Sequence, residues 1–166
     1  MKKIINHRSY IIYRAFTLIE LLVVVSIIGI LTSLVMSNMN SARERARDTQ
    51  RKSDLRSIQT ALRLYYNDKG RYPCHDSSYQ IRACGIQATC GDVTACAWDS
   101  QWAIGTTVYM NKLPNDPLPG VDYKYTYIDD DSYTLDACLE NKSDDKGQTT
   151  ADTAWCLSGW MYEVKP

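Results

Sequence analysis

Glu20 is the first residue in this chain for which a chemical role can be argued. It is the single charge in Phe16–Met36, FTLIELLVVVSIIGILTSLVM, whose 21 residues are otherwise apolar or small and weakly polar. An ionised carboxylate in such a run is costly in lipid and calls for a partner. A cut between Ala15 and Phe16 would create one, a new α-amine four residues before Glu20. That spacing is about one helical turn, so amine and carboxylate could meet within one chain or between neighbours. As a helix the run is about 31 Å long, close to the ~30 Å hydrocarbon core of a bilayer. It follows a short segment carrying Lys2, Lys3, Arg8 and Arg14. The apolar stretch exceeds the roughly 7–15 residues of a secretory signal core, and no compact small-x-small site closes it. Ser33 and Ser37 leave an ordinary signal cleavage open, but the charge near the beginning of the run favours a processed membrane helix.

Six cysteines, Cys74, Cys84, Cys90, Cys96, Cys138 and Cys156, all follow the apolar run. In an exported domain an even set reads as three disulfides among the 15 connectivities that six cysteines allow. No C-x₂-C pair occurs, and the only histidine outside the first 15 residues is His75, so a zinc site is disfavoured. Asp129, Asp131 and Asp144 are candidate calcium ligands, but they follow no EF-hand spacing and a solvated turn is preferred. No nucleophile elbow, phosphate loop or HExxH pattern is present, so neither an enzyme nor a cofactor is expected.

These groups require an α+β scaffold. Between Phe16 and Tyr72 there is no proline, and Leu55, Ile58, Leu62 and Tyr65 recur at helical spacing, with Ala61 and Tyr66 widening the stripe. The membrane helix therefore continues into an amphipathic half that packs on its own globular domain, about 78 Å in all. Arg43, Arg45, Arg47, Arg51, Lys52, Arg56 and Arg63 fall on its other faces, read as solvated or facing lipid headgroups. Subunit contacts or nucleic-acid capture are the other uses open to them. Gly70 is expected to cap the helix in the left-handed region, near residue 68, and Pro73 forbids continuation. Residues 74–112 read as an irregular, disulfide-held loop, with Trp98 and Trp102 on one helical turn. After the proline-rich turn KLPNDPLPG, residues 122–128 alternate, with Tyr123, Tyr125 and Tyr127 on one face. Asp129–Asp131 make a turn, Tyr133–Leu139 a second strand and Trp155–Val164 a third, in a small antiparallel sheet over 122–164. If the last two strands are neighbours, Cys138 and Cys156 fall within bridging distance. Cys74, Cys84, Cys90 and Cys96 then pair among themselves in one of three ways.

Ala15 followed by FTLIELLVVVSIIGIL resembles the class III signal of type IV pilins and type II secretion pseudopilins. The helix end LRLYYNDKGRYP, the turn LP-x-DP, and YTLDACLEN resemble the same group, so the likeness covers residues 15–73 and 112–141. The resemblance implies a leader, residues 1–15, removed by a membrane prepilin peptidase that also methylates Phe16. It implies a helix, residues 16–37, that sits in the membrane and then in a filament core, where Glu20 serves assembly. Residues 38–166 become the extracytoplasmic domain. Partners would be copies of the chain or related pilins, an assembly platform and a separate ATPase. Ala15 departs from the family's usual glycine before the cut. The Phe-Ser-Leu-Gly-like stretch that precedes the calcium loop of major pseudopilins is missing, which tilts the reading from pseudopilin to pilin.

Charge patterning agrees. Residues 1–15 carry four basic side chains and no acid, residues 16–71 nine basic and five acidic, and residues 72–166 six basic and fourteen acidic. The basic leader is expected inside and the C-terminus outside, giving a single-pass protein of the cytoplasmic membrane that passes into an extracellular or periplasmic filament. So acidic a C-terminal part does not suit a nucleic-acid binder. The expected function is a type IV pilus-like structural subunit. Alternatives are a type II secretion pseudopilin, an adhesive or DNA-uptake minor pilin, and a signal-anchored extracytoplasmic enzyme, against which the membrane carboxylate argues.

Overall fold

The computed structural model describes residues 16–84 and 94–166. The chain divides into two units, Met1–Asn40 and Ser41–Pro166. One helix, α1 (Leu18–Lys69), contributes to each. In the first unit, Leu18–Met36 has a mean hydropathy of 2.6 and none of it is buried. At 19 residues it is long and apolar enough to cross a membrane. Its hydroxyls need no outside partner. Ser26 donates to the Leu22 carbonyl and Thr32 to that of Ile28, each at 2.7 Å, and Ser33 bonds Ile30 likewise. These bonds hide the polar groups of the run from lipid.

The second unit packs the later half of α1 against antiparallel strands. Leu55, Ile58, Ala61, Leu62 and Tyr65 are buried, the stripe that the spacing predicts. Gly70 ends the helix at φ +69°, and its N–H bonds the Tyr66 carbonyl at 2.8 Å. The chain leaves through Tyr72, whose ring meets those of Tyr66 and Tyr133 at 4.8 and 4.6 Å.

The longest strands, β6 (Lys124–Asp129) and β7 (Ser132–Cys138), form the expected hairpin about Asp130 and Asp131. Together with β8 (Gln148–Thr149) and β9 (Trp160–Val164) they make a four-stranded sheet of order β6-β7-β9-β8. Tyr123 and Tyr125, with Tyr133, Leu135 and Ala137 of β7, turn towards the helix and are buried. The third strand is shorter than expected. It begins at Trp160, because Trp155 and Cys156 lie in turns whose backbone bonds close locally, Cys156 N–H on Asp152 and Gly159 N–H on Cys156.

Among the described residues, the disulfide-rich region carries short strands, more regular structure than its composition suggests. Strands β1 (Cys74–His75), β2 (Ile81–Cys84) and β3 (Thr94–Ala95) form one small sheet, and β4 (Trp102–Ile104) pairs with β5 (Thr107–Met110) in another. Trp98 and Trp102 do not share a helical turn. Asp99, at φ +69°, breaks any helix between them. Trp102 opens β4 fully buried, its ring 5.7 Å from Tyr65 and its N–H on the Ala83 carbonyl at 3.1 Å. Trp98 instead meets Tyr123 edge-on at 5.8 Å. Strands of two to four residues carry too few alternations for periodicity to reveal them.

Two disulfides are described, each with Cα atoms 5.2 Å apart: Cys84–Cys96, and the expected Cys138–Cys156. Cys74 is also disulfide-bonded, and Cys90 lies outside the described residues.

Candidate functional site

Of the residues expected to serve assembly, Ala15 lies outside the described residues, and Phe16 and Glu20 begin the exposed apolar helix. Glu20 already has a partner there. Its Oε2 accepts the Thr17 N–H at 2.9 Å and the Thr17 hydroxyl at 2.8 Å, while the Thr17 hydroxyl oxygen receives the Glu20 N–H at 3.3 Å. This reciprocal pair is a capping box that closes the first turn of α1. The pattern Thr17-x-x-Glu20 was open to view in the sequence. The carboxylate therefore already has one use, sealing a helix end whose N–H groups would otherwise be unpaired.

A second polar centre lies wholly in the second unit, around Arg51. This side chain is 1% exposed. Its Nε and Nη2 form a two-pronged contact with Asp116, at 2.7 and 2.8 Å. Nη1 donates to Asp48 and to Glu140, both at 2.7 Å. Arg47 grips Glu140 from its other side, at 2.7 and 2.5 Å. Asp48 meanwhile accepts the backbone N–H groups of Glu140 and Asn141 at 3.0 and 2.8 Å. Asp116 accepts the N–H of Leu118 and so shapes the proline-rich turn. The hydrogen bonds from Arg47, then from Arg51, hold the Glu140 carboxyl below the usual carboxylate range.

This cluster corrects the expected placement of the helix arginines. Arg43, Arg45, Arg56 and Arg63 are exposed, as expected, but Arg47 and Lys52 are half-buried and Arg51 is internal. One turn of α1 thus clamps the proline-rich turn and the segment after β7. The arrangement offers fixed hydrogen bonds and no free nucleophile, so its work is structural. The i,i+3 pair Asp48–Arg51 was a visible hint of it; the partners 65 and 89 residues away were not.

The acidic candidates do not converge. Asp129 accepts the Asp131 N–H, and Asp131 accepts the Tyr66 hydroxyl, both at the β6–β7 turn. Asp144 follows the far end of β7, where it pairs with Lys52 and accepts the Lys146 N–H. The seven residues of β7 set the two groups roughly 20 Å apart, too far to share an ion. Among the described residues no cluster of three His, Cys, Asp or Glu is placed to hold a metal. Since an ammonium already fills the cation role at Asp144, the melting temperature is expected to be the same in excess EDTA and in millimolar calcium. A clear calcium-dependent rise in a thermal melt would refute that.

Comparison with known proteins is consistent with this geometry. Residues 13–36 match the prokaryotic N-terminal methylation motif, and residues 38–154 match the type II secretion system protein G family. The chain is 35% identical over 111 residues to the type II secretion system core protein G of Klebsiella pneumoniae, covering 67% of this chain and 72% of that one. It is 37% identical over 110 residues to the core protein G of Pseudomonas aeruginosa, covering 66% and 70%. The matched share of the protein G relatives falls to 65% in Pectobacterium carotovorum and Aeromonas hydrophila. The type IV major pilin PilA of Myxococcus xanthus is 39% identical over 59 residues, 36% of this chain and 27% of that one. No solved structure matches the chain.

Proposed function

Because this chain belongs to the type II secretion system protein G family of pilin-like subunits, we propose that it is a non-enzymatic structural subunit of a type IV pilus-like filament. The observation that carries the reading is the unburied apolar helix Leu18–Met36 with one carboxylate, Glu20, at its start. A prepilin peptidase removes the leader at Ala15–Phe16 and methylates the new amine of Phe16. The subunit waits in the cytoplasmic membrane, C-terminus outside, and enters the filament when a platform driven by a separate ATPase draws it from lipid. Moving the helix from lipid into a bundle of like helices keeps its apolar surroundings, so the transfer has little hydrophobic cost. The cut leaves the capping bonds between Thr17 and Glu20 in place and adds a cation, the Phe16 amine, one turn from the carboxylate. In a filament core that amine, on the same subunit or its neighbour, neutralises a charge that would be expensive unpaired.

A second reading, a secretion pseudopilin in a shorter filament, is favoured by the protein G match over residues 38–154. Both readings share the processing and are separated by cell biology. Intact-mass measurement on protein from native membranes should give a chain starting at N-methyl Phe16 with every cysteine oxidised. A start after Ser33 or Ser37 would sink both. Long sheared fibres containing the chain support the pilus; loss of exported proteins on deletion, without fibres, supports secretion.

Glu20→Ala is expected to insert in the membrane as well as the parent, the span being more apolar, and to fail at assembly. Fractionation and fibre yield read the two steps separately. Normal fibre yield from Glu20→Ala would overturn the charge-pairing role.

A further inference from the structure

The second unit holds a cleft that neither the ionic cluster nor the membrane helix uses. It has a volume of about 240 Å³, and its lining includes Tyr79, Asp122, Lys124 and Trp155. Drug-sized pockets run to roughly 300–1,000 Å³, so this one suits a single small ring. We propose that the cleft binds a neutral pyranose, the terminal sugar of a glycan, and the inference stands independently of the filament reading.

Four observations lead there. Tyr79 is held at φ +58°, a region that bulky side chains seldom enter and that is costly unless the surroundings enforce it. They do enforce it: the Asp76 carboxylate accepts the N–H groups of Ser78 and Gln80 at 2.9 and 2.8 Å, and the Tyr79 carbonyl accepts the Tyr125 N–H at 3.0 Å. The strained residue is 40% exposed at the cleft, its ring stacked on that of His75 at 5.7 Å and so contributing an edge to the cleft beside Lys124. Trp155 forms an aromatic wall, fixed by its N–H on the Asp122 carbonyl at 2.9 Å.

The polar groups are of both signs, and Lys124 is already oriented. Lys124 Nζ stands 4.1 Å from the Tyr79 ring centre and 5.7 Å from that of Trp155, and bonds Asp152 at 2.9 Å. An ammonium has three donors, so it keeps others for a ligand. The Asp122 side chain is exposed and, among the described residues, takes no hydrogen bond. A carboxylate can accept two neighbouring hydroxyls at once. Lys124 is neutralised by Asp152, and Asp122 adds a negative charge, which disfavours an anionic ligand. An uncharged ring with hydroxyls at its rim and C–H groups on its faces satisfies the Trp155 wall and the polar groups together.

The full-length chain, in a detergent without a sugar headgroup, is titrated with the methyl glycosides of glucose, galactose, mannose and N-acetylglucosamine. Binding is read by saturation-transfer NMR. At least one glycoside is expected to receive saturation from the parent protein. Asp122→Asn, which keeps the shape of the cleft, should weaken that binding about tenfold or more, as expected for hydrogen bonds to a charged group. Trp155→Ala should abolish it; should that variant fail to fold by circular dichroism, Asp122→Asn decides. No transfer to any of the four glycosides overturns the proposal. So does undiminished binding by Asp122→Asn.

Discussion

Replacing Arg51 with alanine is expected to cost about 3–5 kcal/mol of stability, the range for removing one member of a buried ion pair. The loss comes less from the missing contacts than from what stays behind. The Asp116 and Asp48 side chains are 0% and 3% exposed, and without Arg51 neither keeps a cation. Asp48 also holds the N–H groups of Glu140 and Asn141, so its displacement would loosen the chain after β7. Arg51→Lys should rescue only part of the loss, since an ammonium cannot make the two-pronged contact with Asp116. Arg51→Met combined with Asp116→Asn should cost less than the sum of its two single changes, because the remaining charge is removed with its partner. Urea unfolding of the full-length chain in micelles measures all three. An Arg51→Ala loss below about 1 kcal/mol, the range of exposed pairs, would show that the cluster is not internal.

Asp136→Asn is expected to stabilise the protein at pH 8, less so at pH 5, and to have little effect at pH 4. Asp136 lies on the face of β7 turned away from the helix, 7% exposed, with Oδ1 lacking a hydrogen-bond partner. Across the sheet stand Glu163 of β9 on one side and Lys124 of β6 on the other. Lys124 is engaged by Asp152, and Glu163 by Lys165 and Gln148. Burial, then the charge of Glu163, pushes the Asp136 carboxyl up to about 7; Lys124, Thr134 and Lys165 oppose the rise. A carboxyl raised in the folded state binds its proton more tightly there than in the unfolded chain. Between about 4 and 7, therefore, its contribution to stability falls as pH rises. At about 1.4 kcal/mol per pH unit the whole window is worth at most about 4 kcal/mol. The asparagine variant lacks this slope, so its melting temperature should exceed that of the parent at pH 8, the gap closing towards pH 4. Glu140, held down by Arg47, and Asp144, held down by Lys52 against the effect of burial, act oppositely, their stabilisation being lost only as pH falls below about 4. Equal melting temperatures at pH 8 would mean that Asp136 is solvated or paired after all.

Much of the architecture was legible because its signals are local. A run of 21 residues, apolar or small but for Glu20, sets the membrane helix, the 55-58-62-65 spacing sets the buried stripe, and Gly70 with Pro73 sets its end. The tyrosine alternation marks the hairpin, whose placement beside β9 brings Cys138 and Cys156 together. In each case the period or the turn residue lies within one element, where neighbours along the chain are neighbours in space.

Tertiary structure alone decided what the charges do. Arg45, Arg47 and Arg51 are equally basic in the sequence, yet the first is exposed, the second half-buried and the third internal. Their fates depend on Asp116 and Glu140, which approach only after the chain has returned over 65 and 89 residues. LP-x-DP and YTLDACLEN, read as marks of the fold, turn out to deliver those two carboxylates to one guanidinium. The small strands of the cysteine-rich region escaped for the same reason. A two-residue strand such as β1 has no periodicity of its own, and exists because β2 supplies hydrogen bonds that only the folded chain can bring to it.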